Sequence, residues 1–140
     1  MKKILRNVMA ALLVLPLLVS VFGVATVNAD DAARSFKAGH IIADDAPDTI
    51  ADGLKVPLKD LTWHFVSNYV TDILTATEEE IVAAMKLTWT HMKIVIEPSC
   101  AVPLAVILKN KDVFAGKKVG ETATFRHSLL IRKIEHLPLI

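Results

Sequence analysis

The chain has 140 residues, which allows one domain at most. Its formal net charge is +1, with 16 Lys and Arg against 15 Asp and Glu. These charges are scattered rather than striped and match no nucleic-acid motif, so nucleic acid is excluded as a partner.

Residues 1–29 read as a secretory signal peptide or apolar leader. Lys2, Lys3 and Arg6 form a basic start, residues 8–24 are apolar apart from breaks at Pro16 and Gly23, and Val27-Asn28-Ala29 offers a small-residue cleavage site. The run is short for a membrane span, so membrane contact is expected only through this leader, and a working leader implies an exported location, periplasmic or secreted.

Residues 31–38 read as a short helix closed by Gly39 as its C-cap. His40-Ile41-Ile42 reads as a short strand, and residues 43–48, with Pro47, as a loop. Residues 49–54 lead into a turn at Asp52-Gly53. Leu61, Phe65, Asn68 and Tyr69 stand near helical spacing and predict a helix over residues 60–70. Residues 71–76 are rich in β-branched side chains and predict a strand.

Thr77 and Glu80 form a capping box that starts the next helix. Ile81, Ala84, Met85, Thr88, Trp89 and Met92 then recur as one apolar stripe. Pro98 disfavours helix at Glu97, so a break is expected there. Ser99 can cap a second, nearly all-apolar and therefore buried helix that runs to about Leu108. Residues 109–112 read as a solvated turn, and residues 117–120 as the opening of a buried parallel strand.

Few residues have the spacing that chemistry needs. His40, His64, His91, His127 and His136 show no metal-ligand pattern, and no HExxH, CxxC, G-x-S-x-G or Walker sequence occurs. Cys100 is the only cysteine, which rules out an intrachain disulfide. Its apolar setting fits a buried structural thiol better than a nucleophile. The five glycines, at positions 23, 39, 53, 116 and 120, are not clustered, so no Gly-rich phosphate cradle can be built from them.

Asn28-Ala29-Asp30-Asp31, Thr49-Ile50-Ala51-Asp52-Gly53-Leu54, the acidic helix start at Thr77 and Glu97-Pro98-Ser99 occur in an order and spacing that resemble the serine/threonine dehydratase and serine racemase family. These are pyridoxal-phosphate enzymes of the second fold type, and the resemblance spans about residues 28–120. It implies an α/β fold, namely an incomplete large domain preceded by a signal-like apolar helix. The implied division is a leader at 1–29, a partial α/β domain at 30–120 and an unrelated tail at 121–140. The abrupt change at the tail is what a fusion or a shifted reading frame would produce.

The activity implied is β-elimination of a small β-hydroxy amino acid to a keto acid and ammonia, or racemisation, with pyridoxal phosphate as cofactor. Family members are often dimers and are cytoplasmic. By resemblance Gly53 matches a glycine lying against the cofactor ring, and Glu97 matches an acid near the active site. Ala29 (through its carbonyl) and Asp31 match two ligands of a Mg²⁺ or Ca²⁺ site, whose third ligand, a glutamate, is Ala25 here. The family's Schiff-base lysine stands in a Ser-x-Lys motif far upstream. Ser35-Phe36-Lys37 copies the triplet in the wrong place, and Lys37 reads as a surface residue. The partner of the pyridine nitrogen belongs to a Ser-Gly-Gly-Asn segment that does not follow Gly120, and Ser128 does not replace it. The expectation is therefore no catalytic residue and no turnover by this chain alone. The alternative is an exported, non-catalytic small protein with a structural or binding role.

Overall fold

The computed structural model describes residues 21–43, 46–125 and 128–134. The elements run β1 (Phe22–Thr26), α1 (Asp31–Ala38), a 3-10 turn (Asp52–Leu54), α2 (Asp60–Tyr69) and β2 (Asp72–Ala76). They continue with α3 (Glu78–Met92), α4 (Pro98–Lys109), α5 (Lys111–Phe114), β3 (Val119–Phe125) and β4 (Ser128–Ile134). β1 and β2 pair in parallel, with Phe22 opposite Asp72 and Thr26 opposite Ala76. β3 and β4 form a separate antiparallel hairpin.

The parallel pair is the middle layer of a small sandwich. Strand side chains alternate between faces. Ala25 and Ile73 meet Ala33 of α1 and Val66 and Val70 at the end of α2 on one face. On the other face Val24 and Leu74 pack against the larger cluster, built around Ile81 and Ala84 of α3 and Ala101, Val102, Ala105 and Val106 of α4. Ala84 and Ala101 are fully buried. Small side chains let α3 and α4 approach closely, and the two helices pack along one another.

Local chemistry explains most element ends. Gly39 sits in the left-handed region at φ 76° and its N–H donates to the Ser35 carbonyl, closing α1. The capping box at α3 is complete. Thr77 Oγ1 accepts from the Glu80 N–H at 3.3 Å, and the Glu80 carboxylate accepts from the Thr77 N–H at 2.8 Å. Lys109 Nζ reaches the same carboxylate at 3.1 Å, tying the end of α4 to the start of α3. Cys100 is buried, as its apolar setting predicts, and Lys37 is exposed.

The structure corrects several expectations. Residues 40–42 are not a strand, because the Ile42 N–H donates to the buried Ser35 Oγ at 2.8 Å and the segment folds back on α1. α3 ends at Met92, six residues before the proline, with Lys93 in the left-handed region at φ 58°. Only the first half of the expected stripe is core: Ile81, Ala84 and Thr88 are buried, whereas Trp89 is 63% exposed. Ser99 does not cap α4, since Glu97 holds the cap position and Pro98 the first helical one. The turn expected at residues 109–112 is solvent-facing, but from Lys111 it continues as one helical turn to Phe114. The strand opening at Val119 pairs antiparallel with β4 instead of joining a parallel sheet, and it runs through residue 120 without a break.

Residues 1–20, most of the expected leader, lie outside the described residues. The last part of the leader does not continue as an apolar helix. Phe22–Thr26 is a strand and Ala29 is buried in the turn that follows.

Two substitutions test this packing by urea unfolding. Ile81→Ala removes a fully buried side chain at the α3–α4 contact and is expected to cost about 2–5 kcal/mol. Thr77→Ala breaks the capping box and is expected to cost about 1 kcal/mol, while Thr77→Ser stays near the parent value.

Candidate functional site

In a parallel sheet the strands' carboxyl ends open into the loops where ligands bind. Here that end is held by a short ladder of backbone bonds. Val27 N–H donates to the Ala76 carbonyl at 2.9 Å, and Asp48 N–H to the Asn28 carbonyl at 3.1 Å. Ile50 N–H donates to Glu78 Oε2 at 2.9 Å, which fixes the segment before Gly53 to the start of α3. Ala51, fully buried, plugs this segment into the main core.

The 3-10 turn then lays Gly53 against the first turn of α4. The Gly53 N–H donates to Ser99 Oγ at 3.2 Å. A Cβ added at Gly53 would stand 3.0 Å from Ser99 Oγ and 3.2 Å from Ser99 Cβ, tighter than ordinary van der Waals contact. A side chain at position 53 is thus opposed by Ser99 itself, with no ring needed to explain the glycine. Glu97, two residues before Ser99, is exposed, and its carbonyl accepts from the Cys100 N–H at 3.0 Å. The two residues that the resemblance singled out therefore lie on neighbouring segments, joined through Ser99. Beside them Lys55 Nζ meets Asp52 Oδ1 at 2.8 Å. The hydrogen bond to Asp52 raises the Lys55 pKa above the usual lysine value, so this ammonium stays charged and engaged.

Ala29, just after β1, and Asp31, the first residue of α1, are both buried. Asp31 Oδ2 and the Thr26 hydroxyl are enclosed there without a hydrogen-bond partner. Asp30 beside them is engaged by Arg34 Nε at 2.6 Å. The missing third ligand is Ala25, whose methyl group packs with Ala33 and Ile73. Among the described residues no group of three His, Cys, Asp or Glu side chains could hold a metal ion. The expected Mg²⁺ or Ca²⁺ site is not supported.

The described residues do not fit pyridoxal phosphate as a complete site. Gly53 and Ser99 offer one wall, but Lys55 is paired with Asp52, and the glycines at 23, 39, 116 and 120 stand apart from the wall. A Schiff-base lysine and a phosphate cradle would have to come from elsewhere. Ser99 and Glu78 are the positions that sequence reasoning missed. Ser99 reads as a helix cap and Glu78 as one of three acids in a first turn. Their long-range partners, 46 and 28 residues away, leave no local signal.

The family model for pyridoxal-phosphate dependent enzymes matches residues 8–124. The chain is 71% identical over 97 residues to the β-hydroxyaspartate dehydratase of Paracoccus denitrificans (strain Pd 1222), a match that covers 69% of this chain and 31% of that protein. It is 48% identical over 83 residues to the serine racemase of Arabidopsis thaliana, covering 59% of this chain and 25% of the relative. Among solved structures, a threonine deaminase from T.th. superposes with a TM-score of 0.65 at 40% identity, covering 67% of this chain and 31% of that one. The chain thus spans about a third or less of the relatives it matches.

The Gly53–Ser99 contact yields a double-mutant cycle. Gly53→Ala is expected to destabilise by about 1–3 kcal/mol through overpacking. Ser99→Gly alone loses a hydrogen bond worth about 1 kcal/mol. The double variant is expected to recover, with a coupling of about 0.5 kcal/mol or more by urea titration.

Proposed function

Because the chain belongs to the pyridoxal-phosphate dependent enzyme family, we propose that it carries part of a dehydratase (ammonia-lyase) acting on a small β-hydroxy amino acid, with β-hydroxyaspartate as the favoured substrate. The observation that carries this reading is the 71% identity over 97 residues to a β-hydroxyaspartate dehydratase. The serine racemase relatives keep racemisation of a β-hydroxy amino acid as the neighbouring activity.

The contribution of these residues is positional. Gly53 keeps one wall at the strand ends free of side chain, and the Ser99 hydroxyl fixes that wall by accepting from the Gly53 N–H. Glu78 and the buried Ala51 hold the preceding turn, so the wall keeps its place against α4. Preorganisation of this kind is what a crevice needs to orient a small substrate. In the relatives' chemistry the cofactor supplies the electron sink; the described residues offer neither a free-standing lysine site nor a phosphate cradle to hold it, and no turnover is proposed for this chain in isolation.

The leader bears on location. Its basic start and apolar run favour export, but cleavage after Ala29 would remove β1 and with it half of the parallel pair. The lyase reading therefore goes with a retained leader. N-terminal sequencing of the cellular product distinguishes the two.

The test is a chimera in which this chain's matching residues replace the corresponding 97-residue segment of the P. denitrificans dehydratase. The expected outcome is keto acid and ammonia from β-hydroxyaspartate, and none from the purified chain alone supplied with pyridoxal phosphate. A folded, cofactor-loaded chimera with no turnover would sink the lyase reading, and keto acid from the chain alone would overturn its inactivity.

A further inference from the structure

Val27-Asn28-Ala29, which the sequence offers as the cleavage site of a leader, is folded into the turn between β1 and α1. Ala29 is 2% exposed, and Asp31, just beyond the cut, is 6% exposed. Each residue of the segment is tied by its backbone. Val27 N–H donates to the Ala76 carbonyl at 2.9 Å, and Ala29 N–H turns back to the Thr26 carbonyl at 3.3 Å. The Asn28 carbonyl accepts from the Asp48 N–H at 3.1 Å, and the Asp30 carbonyl accepts from the Arg34 N–H at 2.8 Å, opening α1.

A leader peptidase cuts after the last of the small residues, here between Ala29 and Asp30. Proteolysis favours exposed loop tips, because the chain must leave its own bonds to enter the enzyme's cleft. Residues 27–30 cannot be drawn out while the fold stands. Extending them breaks the backbone bonds of Val27, Asn28, Ala29 and Asp30, frays the start of α1 and lifts Ala29 out of its burial. The residues just before the site are buried as well, Ala25 against Ala33 and Ile73, and Thr26 completely.

We infer that the fold masks this cleavage site, so that leader removal and folding of the parallel pair exclude one another. A folded chain keeps its leader. A chain cut after Ala29 has lost Phe22–Thr26, and β2 is left without its partner strand. Whether folding or cutting comes first therefore decides which product a cell holds. The inference rests on the leader reading above and is independent of the lyase reading.

The experiment treats the purified full chain, in detergent micelles, with purified leader peptidase and identifies the new N-terminus by mass spectrometry. It compares the parent with Ile73→Ala across a urea series that the peptidase tolerates, with folding read from the fluorescence of Trp63 and Trp89. Ile73 is 6% exposed, packs with Ala25 and lies far along the chain from the cut, so its truncation loosens β1 without altering what the peptidase reads. The expected result is a folded parent that resists cutting and an unfolded parent cut after Ala29. Without urea, Ile73→Ala is expected to be cut about tenfold or more faster than the parent, because cutting follows the open population. A folded parent cut as fast as the unfolded chain would overturn the masking. A destabilised Ile73→Ala chain cut no faster than the parent would do the same. An unfolded chain that is not cut after Ala29 would remove the leader reading, and the inference with it.

Discussion

The parallel pairing of β1 with β2 is the constraint on which the rest depends. Two five-residue strands hold little on their own, and a parallel pair needs apolar cover on both faces. α1 and the end of α2 supply one cover, and α4, backed by α3, supplies the other. Each helix is placed by the face it must bury. The fully buried Ala51, Ala76, Ala84 and Ala101 show how tightly the larger side is drawn together.

The same arrangement positions the segments at the strand ends. Because β1 and β2 run the same way, the segments after both emerge at one end, and the first turn of α4 meets the 3-10 turn. Gly53 meets Ser99 there, and Ile50 meets Glu78. These bonds join segments far apart in the chain, so this contact is a product of the tertiary fold. The position of the third ligand that the resemblance implies is taken by Ala25, which packs with Ala33 of α1.

Much of this was legible in the sequence wherever local chemistry decides. The capping box at Thr77, the glycine after α1, the helix over residues 60–69 and the strand before Thr77 all follow from short-range rules and are found as expected. Periodicity overreached at Trp89, because a stripe shows which side chains share a face and not how far a neighbouring helix extends. The strand expected at residues 40–42 lost to a competing partner, the buried Ser35 hydroxyl. The apolar run read as a leader hid β1 at its end, since a buried strand and a hydrophobic leader look alike without their neighbours. Gly53 and Glu97, singled out by the resemblance, lie on neighbouring segments, and the bond from the Gly53 N–H to the Ser99 hydroxyl was visible only in three dimensions.

The most direct test is nuclear magnetic resonance on the isotopically labelled full chain, seeking backbone contacts between Val24 and its register partner Leu74. The account requires cross-strand contacts there, together with folded α3 and α4. Folded α3 and α4 without any contact between residues 22–26 and 72–76 would contradict it. That result would return residues 22–26 to the leader and remove the sheet on which the crevice depends.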